Sequence, residues 1–140
     1  MPEHIASIIS EESDTNNLTC VIPTLAELLA RDSEIKDVYL CHESAVQIWK
    51  SRNEGAHFCG YRNMQMICLA LAASGVQAFP DRKLSILELQ DMIESAWGKG
   101  INAHAMTQTG GIKGTRKHVG TSEVILNMRK ARFWFRTFGS

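Results

Sequence analysis

The sequence predicts a mixed α/β (α+β) domain, and three local patterns carry that prediction. Two capping boxes mark helix starts, because in each a hydroxyl and a carboxylate three residues apart can satisfy free backbone N–H groups: Thr24 with Glu27, and Ser85 with Glu88. The run of residues 37–41 is typical of a short strand. The chain has 140 residues, of which 44% are hydrophobic, so it is long enough for one domain with a buried core.

The N-terminal part of the chain is predicted to hold two short helices with the strand between them. The first helix runs from Thr24, its cap, to about Ala30. The second spans residues 43–52 and places Val46 and Trp49 on one face. A polar Asn-Glu-Gly triplet then breaks the pattern.

Two longer helices are predicted in the middle of the chain. From Met64 onward the residues are apolar nearly all round, which predicts a central, buried helix that stops at Gly75. The next helix follows Ser85 and ends at Gly98 and Gly100. Four large apolar side chains of that helix share one face: Ile86, Leu89, Ile93 and Trp97.

The C-terminal third is predicted to begin with a loop and to end in a basic, aromatic segment. Residues 101–120 contain four glycines and are interpreted as a loop. The stretch from Gly110 to Thr115 lacks the spacing of a phosphate-binding loop, which needs four residues between its glycines. A last segment starts near Thr121, and the Arg, Lys and aromatic residues at 129–136 fit either a core edge or a binder of single-stranded nucleic acid.

Charge is balanced over the whole chain but not along it. Lys and Arg number 15, as do Asp and Glu, so the net charge is zero. Residues 1–98 hold 7 basic and 14 acidic side chains, whereas residues 99–140 hold 8 basic side chains and a single acid, Glu123. Either the two parts pack together and neutralise each other, which is the simpler interpretation, or the basic part contacts an acidic partner.

The expected cellular compartment and the expectation that no cofactor binds both depend on motifs that the sequence lacks. No apolar run approaches the roughly 18 residues that a membrane helix needs, and the acidic N-terminus does not resemble a secretory signal. We therefore expect a protein of the cytoplasm or nucleus, with no membrane partner and with its four cysteines as free thiols. No Cys or His spacing matches a zinc site, so neither a metal nor another cofactor is expected.

Cys59 is the residue whose surroundings point to chemistry. It stands where a polar, glycine-containing loop meets the apolar helix, and a thiolate at a helix N-terminus is stabilised by roughly 0.3–1 kcal/mol. Gly60 allows a backbone or a substrate to come close, and the free N–H groups of the first turn can bind an oxyanion. The alternative is a buried structural cysteine, and composition and spacing alone favour that alternative.

A base for such a thiol would have to come from a distant part of the chain. His57 is only two residues from Cys59, so we interpret it as part of the loop or rim. His104 and His118 fall in the glycine-rich loop, from which either could reach Cys59, although a loop histidine is more often simply solvated. Spacing alone does not choose between them.

Two sequence blocks resemble a known family of cysteine peptidases. Residues 58–66, Phe-Cys-Gly-Tyr-Arg-Asn-Met-Gln-Met, are similar to the nucleophile motif of the ubiquitin-fold-modifier-specific proteases. Within that family they resemble the branch of the zinc-finger-containing deubiquitinase and its fungal relatives. Residues 89–97, Gly100 and residues 114–124 look like the family sequence downstream of the nucleophile, in order and in rough spacing. The resemblance covers about residues 37–124.

The resemblance implies a papain-like cysteine peptidase fold, of which this chain holds the N-terminal part. In that fold a helix that carries the cysteine packs against a sheet that carries a histidine and an aspartate. Cys59 would be the nucleophile, and Tyr39, 20 residues earlier, is a candidate for the oxyanion-stabilising tyrosine of some members. The start of the nucleophile helix, close to the substrate, would be formed by Gly60, Tyr61, Arg62 and Asn63.

The family histidine and aspartate are expected beyond the second block, in a segment without a counterpart in these 140 residues. No aspartate follows Asp91, and the recognisable motifs end at Val124. We accordingly divide the chain into a polar leader (1–22), a partial peptidase domain (23–124) and a divergent basic, aromatic tail (125–140).

The predicted function is a thiol-dependent peptidase that removes ubiquitin or a ubiquitin-like modifier from conjugates, with Cys59 as nucleophile. Because the family base has no counterpart, we expect this chain by itself to hydrolyse such conjugates very poorly. Two alternatives remain open. One is a non-catalytic module that binds ubiquitin or a ubiquitin-like protein, and the other, with less support, is a nucleic-acid-binding module that uses the basic C-terminal third.

Overall fold

Short helices and a small sheet build the part of the chain that the computed structural model describes, namely residues 16–50, 54 and 57–125. In chain order the elements are β1 (Asn17–Leu18), α1 (Val21–Ala30), β2 (Gln47–Ile48), α2 (Cys59–Ala73), α3 (Ile86–Gly98) and α4 (Ala103–Thr109). The two strands are antiparallel, and Asn17 pairs with Ile48. The combination of helices with strands confirms the mixed α/β (α+β) class.

The hydrophobic core forms where α2 and α3 pack together. Apolar side chains recur every three or four residues on each helix, so each helix turns one stripe toward the other. The buried members are Phe58, Tyr61, Met64 and Cys68 at α2, Ile86, Leu89, Ile93 and Trp97 on α3, and Phe79, Leu84, Ile112 and Val119 in the connecting segments. The four α3 residues are those predicted to share one face, so that prediction is confirmed.

Helix α2 stops where the sequence predicts. Gly75 follows it with a φ of +86°, a left-handed conformation that glycine adopts without strain. The N–H of Val76 then bonds back to the carbonyl of Leu71 (2.9 Å) and closes the last turn. One side of α2 faces outward, because Ile67 on that side is 38% exposed. The prediction that this helix is buried nearly all round is therefore confirmed only in part.

Helix α3 begins with the capping box predicted from the sequence. The Ser85 hydroxyl accepts a hydrogen bond from the Glu88 N–H (3.2 Å), and the Glu88 carboxylate accepts one from the Ser85 N–H (2.8 Å). The Arg82 guanidinium donates to both oxygens of the same carboxylate (2.6 and 3.0 Å) and lowers the pKa of Glu88 to about 2. The carboxylate therefore stays ionised and keeps its acceptor role in the cap.

Replacing Ser85 by alanine is expected to lower the free energy of unfolding by about 1 kcal/mol, because the N–H of Glu88 loses its side-chain acceptor. Chemical denaturation followed by circular dichroism measures the change. Ser95→Ala is the matched control, since Ser95 is exposed on the same helix and its replacement should stay within about 0.5 kcal/mol of the wild type. A loss no larger for Ser85→Ala than for Ser95→Ala would contradict the cap.

Two predictions for the N-terminal part are wrong. Residues 35–42 have neither helix nor strand, so the strand predicted at 37–41 does not form. Its side chains are exposed, 44% for Val38 and 95% for Tyr39, and such a run becomes a strand only where neighbouring strands pack against it. In place of the helix predicted over residues 43–52, the described part of that range contains β2.

Helix α1 confirms the first predicted helix but not its start. It begins at Val21, after Cys20 in a left-handed conformation (φ 58°). Thr24 therefore lies inside the helix, where its hydroxyl donates to the carbonyl of Cys20 (2.8 Å) instead of capping. Strand β1 and the start of α1 fall within the predicted leader (1–22), of which residues 1–15 lie outside the described residues.

The segment predicted as a loop, residues 101–120, contains helix α4. This helix is bracketed by Asn102 (φ 55°) and Gly110 (φ 67°), two residue types that tolerate a left-handed backbone. It has no buried residue, so no apolar periodicity marks it in the sequence. Residues 121–125 are helical where the last segment is predicted to start, whereas residues 129–136 lie outside the described part of the chain.

Neither a membrane span nor a metal site is present among the residues that the structure describes. None of the helices within these ranges combines the length and the apolar character needed to cross a membrane. In the same ranges, no three His, Cys, Asp or Glu side chains are grouped so that they could hold a metal ion.

Candidate functional site

Cys59 lies at the N-terminal end of α2, where its side chain is exposed. It lines a cavity of about 340 Å³. Asn63 and Ile67 follow on the same helix and line the same cavity, because residues four apart share one face of a helix. The thiol is thus accessible and sits at the positive end of the helix dipole.

His118 faces Cys59 across this cavity. The distance from the Cys59 Sγ to the His118 Nδ1 is 4.0 Å, which is the outer limit of a hydrogen bond to sulfur. The two residues are 59 positions apart in the sequence, so only folding brings them together. His104 is exposed on α4 and does not line the cavity. Of the two histidines that the sequence allowed to reach Cys59, the structure therefore places His118 beside it. The other residues on the His118 side are Val119, Gly120, Thr121 and Val124.

Because Gly60 has no side chain, the backbone that follows His118 can pass very close to the start of α2. A Cβ atom at Gly60 would lie 2.5 Å from the carbonyl oxygen of Val119 and 2.8 Å from its Cγ2, closer than side chains approach. The backbone of Val119 therefore occupies the space in which any other residue would carry its side chain. This close contact places His118, the preceding residue, beside Cys59.

A buried network connects α2 and α3 to the segment that ends at His118. The Gln90 amide accepts a hydrogen bond from the N–H of Gly114 (2.8 Å) and donates to the carbonyl of Thr115 (3.0 Å). The same amide donates to the Tyr61 hydroxyl (3.3 Å), which donates in turn to the carbonyl of Lys117 (3.3 Å). Burial raises the pKa of Tyr61 to about 12, so the phenol stays protonated and able to donate.

The glycine-rich loop ahead of His118 is anchored by a carboxylate of the protein itself. The N–H groups of Ile112 (2.7 Å) and Lys113 (2.9 Å) both donate to one Glu94 oxygen. Gly111, with a φ of +87°, leaves room for that oxygen, which would lie 3.1 Å from a Cβ there. These loop N–H groups are thus already bonded to a side chain of α3. The sequence of the loop likewise lacks the glycine spacing of a phosphate-binding loop.

A buried ion pair supports the first turns of α2. Arg62 and Glu54 are 3% and 2% exposed, and the guanidinium contacts both carboxylate oxygens, one of them at 3.3 Å from Nε. Arg62 also donates to the Gln65 side-chain oxygen (2.8 Å), and the Gln65 amide donates to the carbonyl of Leu84 (2.6 Å). The network ties the start of the helix that carries Cys59 to the connection between α2 and α3.

The structure divides the residues of the nucleophile motif into two groups. Cys59, Gly60 and Asn63 line the cavity, whereas Tyr61 and Arg62 are buried. The resemblance implies that Tyr61 and Arg62 lie close to the substrate. Their burial does not fit that position, because a side chain with almost no exposed surface cannot touch a substrate. Both instead hold the helix start from inside.

Tyr39 is not part of the cavity that contains Cys59. Its side chain is 95% exposed and belongs to the segment without regular structure. A phenol with so little contact to the rest of the protein is not held where it could stabilise an oxyanion at Cys59. The expected oxyanion role of Tyr39 therefore has no support from the geometry.

The remaining cysteines have surroundings different from those of Cys59. Cys68 is 2% exposed, and burial raises its pKa to about 11, which keeps that thiol protonated and shielded. Cys20 and Cys41 are exposed but do not line the cavity. Among the four thiols, all within the described ranges, Cys59 is the one that combines exposure with a cavity and a facing imidazole.

Comparison with known families assigns the chain to a class of proteins. The sequence profile of peptidase family C78 matches residues 34–135, a range that contains both Cys59 and His118. The chain belongs to peptidase family C78. This is the ubiquitin-fold-modifier-specific protease family that residues 58–66 resemble, so the family predicted from the sequence is confirmed. No curated protein matches this C78 chain.

Proposed function

We propose that this C78 chain is a cysteine peptidase that releases ubiquitin or a ubiquitin-like modifier from conjugates, with Cys59 as nucleophile and His118 as general base. The observation that carries the proposal is the 4.0 Å approach of the His118 Nδ1 to the Cys59 Sγ beside an open cavity. A thiol peptidase needs these two groups to form a thiolate and to move its proton. Catalytic contacts are often longer before substrate binds, so 4.0 Å is compatible with such a pair.

The reaction begins when the Cys59 sulfur attacks the carbonyl carbon of the modifier's C-terminal glycine and the thiol proton passes to His118. The carbonyl oxygen becomes an oxyanion, and this negative charge develops at the N-terminal end of α2, where the helix dipole stabilises it. His118 then gives the proton to the leaving amine, the C–N bond breaks, and a thioester remains on Cys59. Water deprotonated by His118 hydrolyses the thioester and frees the modifier's carboxylate and the thiol.

Family membership supports both the substrate class and a papain-like arrangement of the domain. In the papain-like fold the nucleophile begins a buried helix, and Cys59 begins α2, whose inner stripe contributes to the core. The proposed base differs from the sequence-based expectation of a histidine further along the chain. The contact with His118 therefore favours measurable turnover, where the sequence alone led to an expectation of very little.

A second candidate is a module that binds a ubiquitin-like protein without cleaving it. One observation favours it: within the described residues, no acidic side chain hydrogen-bonds to the His118 ring, whereas a catalytic triad uses such a group to orient the imidazole. The nucleic-acid-binding alternative depends on the basic C-terminal third, of which residues 126–140 lie outside the described residues.

Electrophilic modifier probes distinguish the two candidates. Ubiquitin and ubiquitin-like proteins that carry a C-terminal alkyne are each incubated with the chain, and at least one is expected to form a single covalent adduct that peptide mapping assigns to Cys59. Cys59→Ala should form no adduct, and Cys41→Ser, which removes another exposed thiol, should react like the wild type. Reaction at Cys20 or Cys41 would contradict the assignment, and saturable binding without any adduct would favour the binding module.

A further inference from the structure

The segment that leads to His118 is held by side chains and not by neighbouring strands. Residues 114–117 belong to no helix or strand, so their backbone groups need other partners. Gln90 bonds to the backbone of residues 114 and 115, and Tyr61 bonds to the carbonyl of residue 117, immediately before His118. Tyr61 and Gln90 are also bonded to each other, so the two helices hold the segment as one unit.

We propose that Tyr61 and Gln90 are positioning residues for catalysis, because they fix residues 114–117 so that the His118 imidazole meets the Cys59 thiol. The proposal rests on the proposed function, in which His118 is the base. Both side chains are fully buried and neither lines the cavity, so they can act on the reaction only through the segment that they hold.

The chemistry of the two side chains suits this role. The Gln90 amide offers a donor and an acceptor that do not titrate, and it uses both on the segment. The Tyr61 hydroxyl supplies the donor at residue 117, while Gly60 admits the backbone of Val119 on the other side. His118 is thus flanked by one fixed residue on each side, which restricts where its ring can lie.

Tyr61→Phe tests the proposal because it removes one hydroxyl and leaves the ring in the core. We expect kcat on a modifier–aminomethylcoumarin substrate to fall about 10- to 100-fold with KM unchanged, since a misplacement of about 1 Å can cost 10²-fold. The double variant Tyr61→Phe/His118→Ala should be no slower than His118→Ala alone, because Tyr61 has nothing left to position. Losses that multiply in the double variant would overturn the proposal and make Tyr61 a structural residue.

A second variant examines Gln90 independently. Gln90→Leu keeps a buried side chain of similar size but lacks both the acceptor for Gly114 and the donor for Thr115, so the same fall in kcat with unchanged KM is expected. Ser85→Ala controls for general destabilisation, since it weakens the start of the same helix without touching residues 114–117 and should leave kcat unchanged. A fall of equal size in Ser85→Ala would overturn the positioning role.

A measurement that needs no turnover separates this inference from the proposed function. In His118→Cys, oxidised glutathione is expected to close a disulfide between position 118 and Cys59, which peptide mapping detects, and adding Tyr61→Phe should slow its formation about tenfold. If the wild type cleaves no modifier but disulfide formation depends on Tyr61, the proposed function fails and the positioning role stands. If the rate is independent of Tyr61, the positioning role fails whatever the turnover.

Discussion

Replacing His118 by alanine is expected to lower kcat for release of a ubiquitin-like modifier by about 10²–10⁴-fold. In the proposed mechanism this imidazole takes the proton of Cys59, returns it to the leaving amine and later activates water, and the variant lacks it. The ring is exposed at the edge of the cavity, so KM should change little. Steady-state hydrolysis of a modifier–aminomethylcoumarin substrate measures both constants.

His104→Ala is the matched control for this experiment. His104 is an exposed histidine downstream of Cys59, but it lies on α4 and does not line the cavity, so its loss should leave kcat at the wild-type value. Added imidazole should restore part of the activity of His118→Ala, because it can enter the space left at the cavity. A large loss in His104→Ala with none in His118→Ala would show that the base is misassigned.

Removing the carboxylate of Glu54 is expected to cost about 3–5 kcal/mol of unfolding free energy, because the buried charge of Arg62 then lacks the opposite charge of Glu54. The two side chains are 3% and 2% exposed, so water cannot replace the lost interaction. Glu54→Gln keeps the shape and removes the charge. Chemical denaturation compares its unfolding free energy with that of the wild type.

An exposed ion pair provides the control for Glu54→Gln. Lys113 and Asp91 approach to 2.6 Å but are 60% and 52% exposed, so Asp91→Asn should cost no more than about 1 kcal/mol. The double variant Glu54→Leu/Arg62→Met removes both buried charges and should recover much of the stability that Glu54→Gln loses. Equal losses in Glu54→Gln and Asp91→Asn would contradict the importance of the buried pair.

The elements that the sequence predicts correctly are those with local signals. The Ser85 capping box and the apolar stripe of α3 each join residues three or four positions apart, so a short stretch of sequence contains the whole interaction. A strand depends on a partner from elsewhere in the chain. Residues 37–41 have a strand-like composition, yet β1 pairs with β2, and no local pattern reveals that choice.

The same distinction between local and long-range signals applies to the candidate site. Cys59 can be predicted because its motif and the helix that it begins are continuous in the sequence. The sequence cannot choose His118 over His104, because His118 is 59 residues from Cys59. Its position beside the thiol depends on the close backbone approach that Gly60 permits and on the hydrogen bonds of Tyr61 and Gln90. The second block of the resemblance contains His118, but nothing in its spacing gives that residue a role.

Turnover by three proteins on one substrate tests most directly whether Cys59 and His118 form a catalytic pair. Wild type, Cys59→Ala and His118→Ala are compared on ubiquitin–aminomethylcoumarin and on the corresponding ubiquitin-like substrates. We expect multiple turnovers by the wild type on at least one of them, none by Cys59→Ala, and a loss of about 10²-fold or more in His118→Ala. Wild-type rates in His118→Ala, or no turnover by the wild type on any modifier, would contradict the pair.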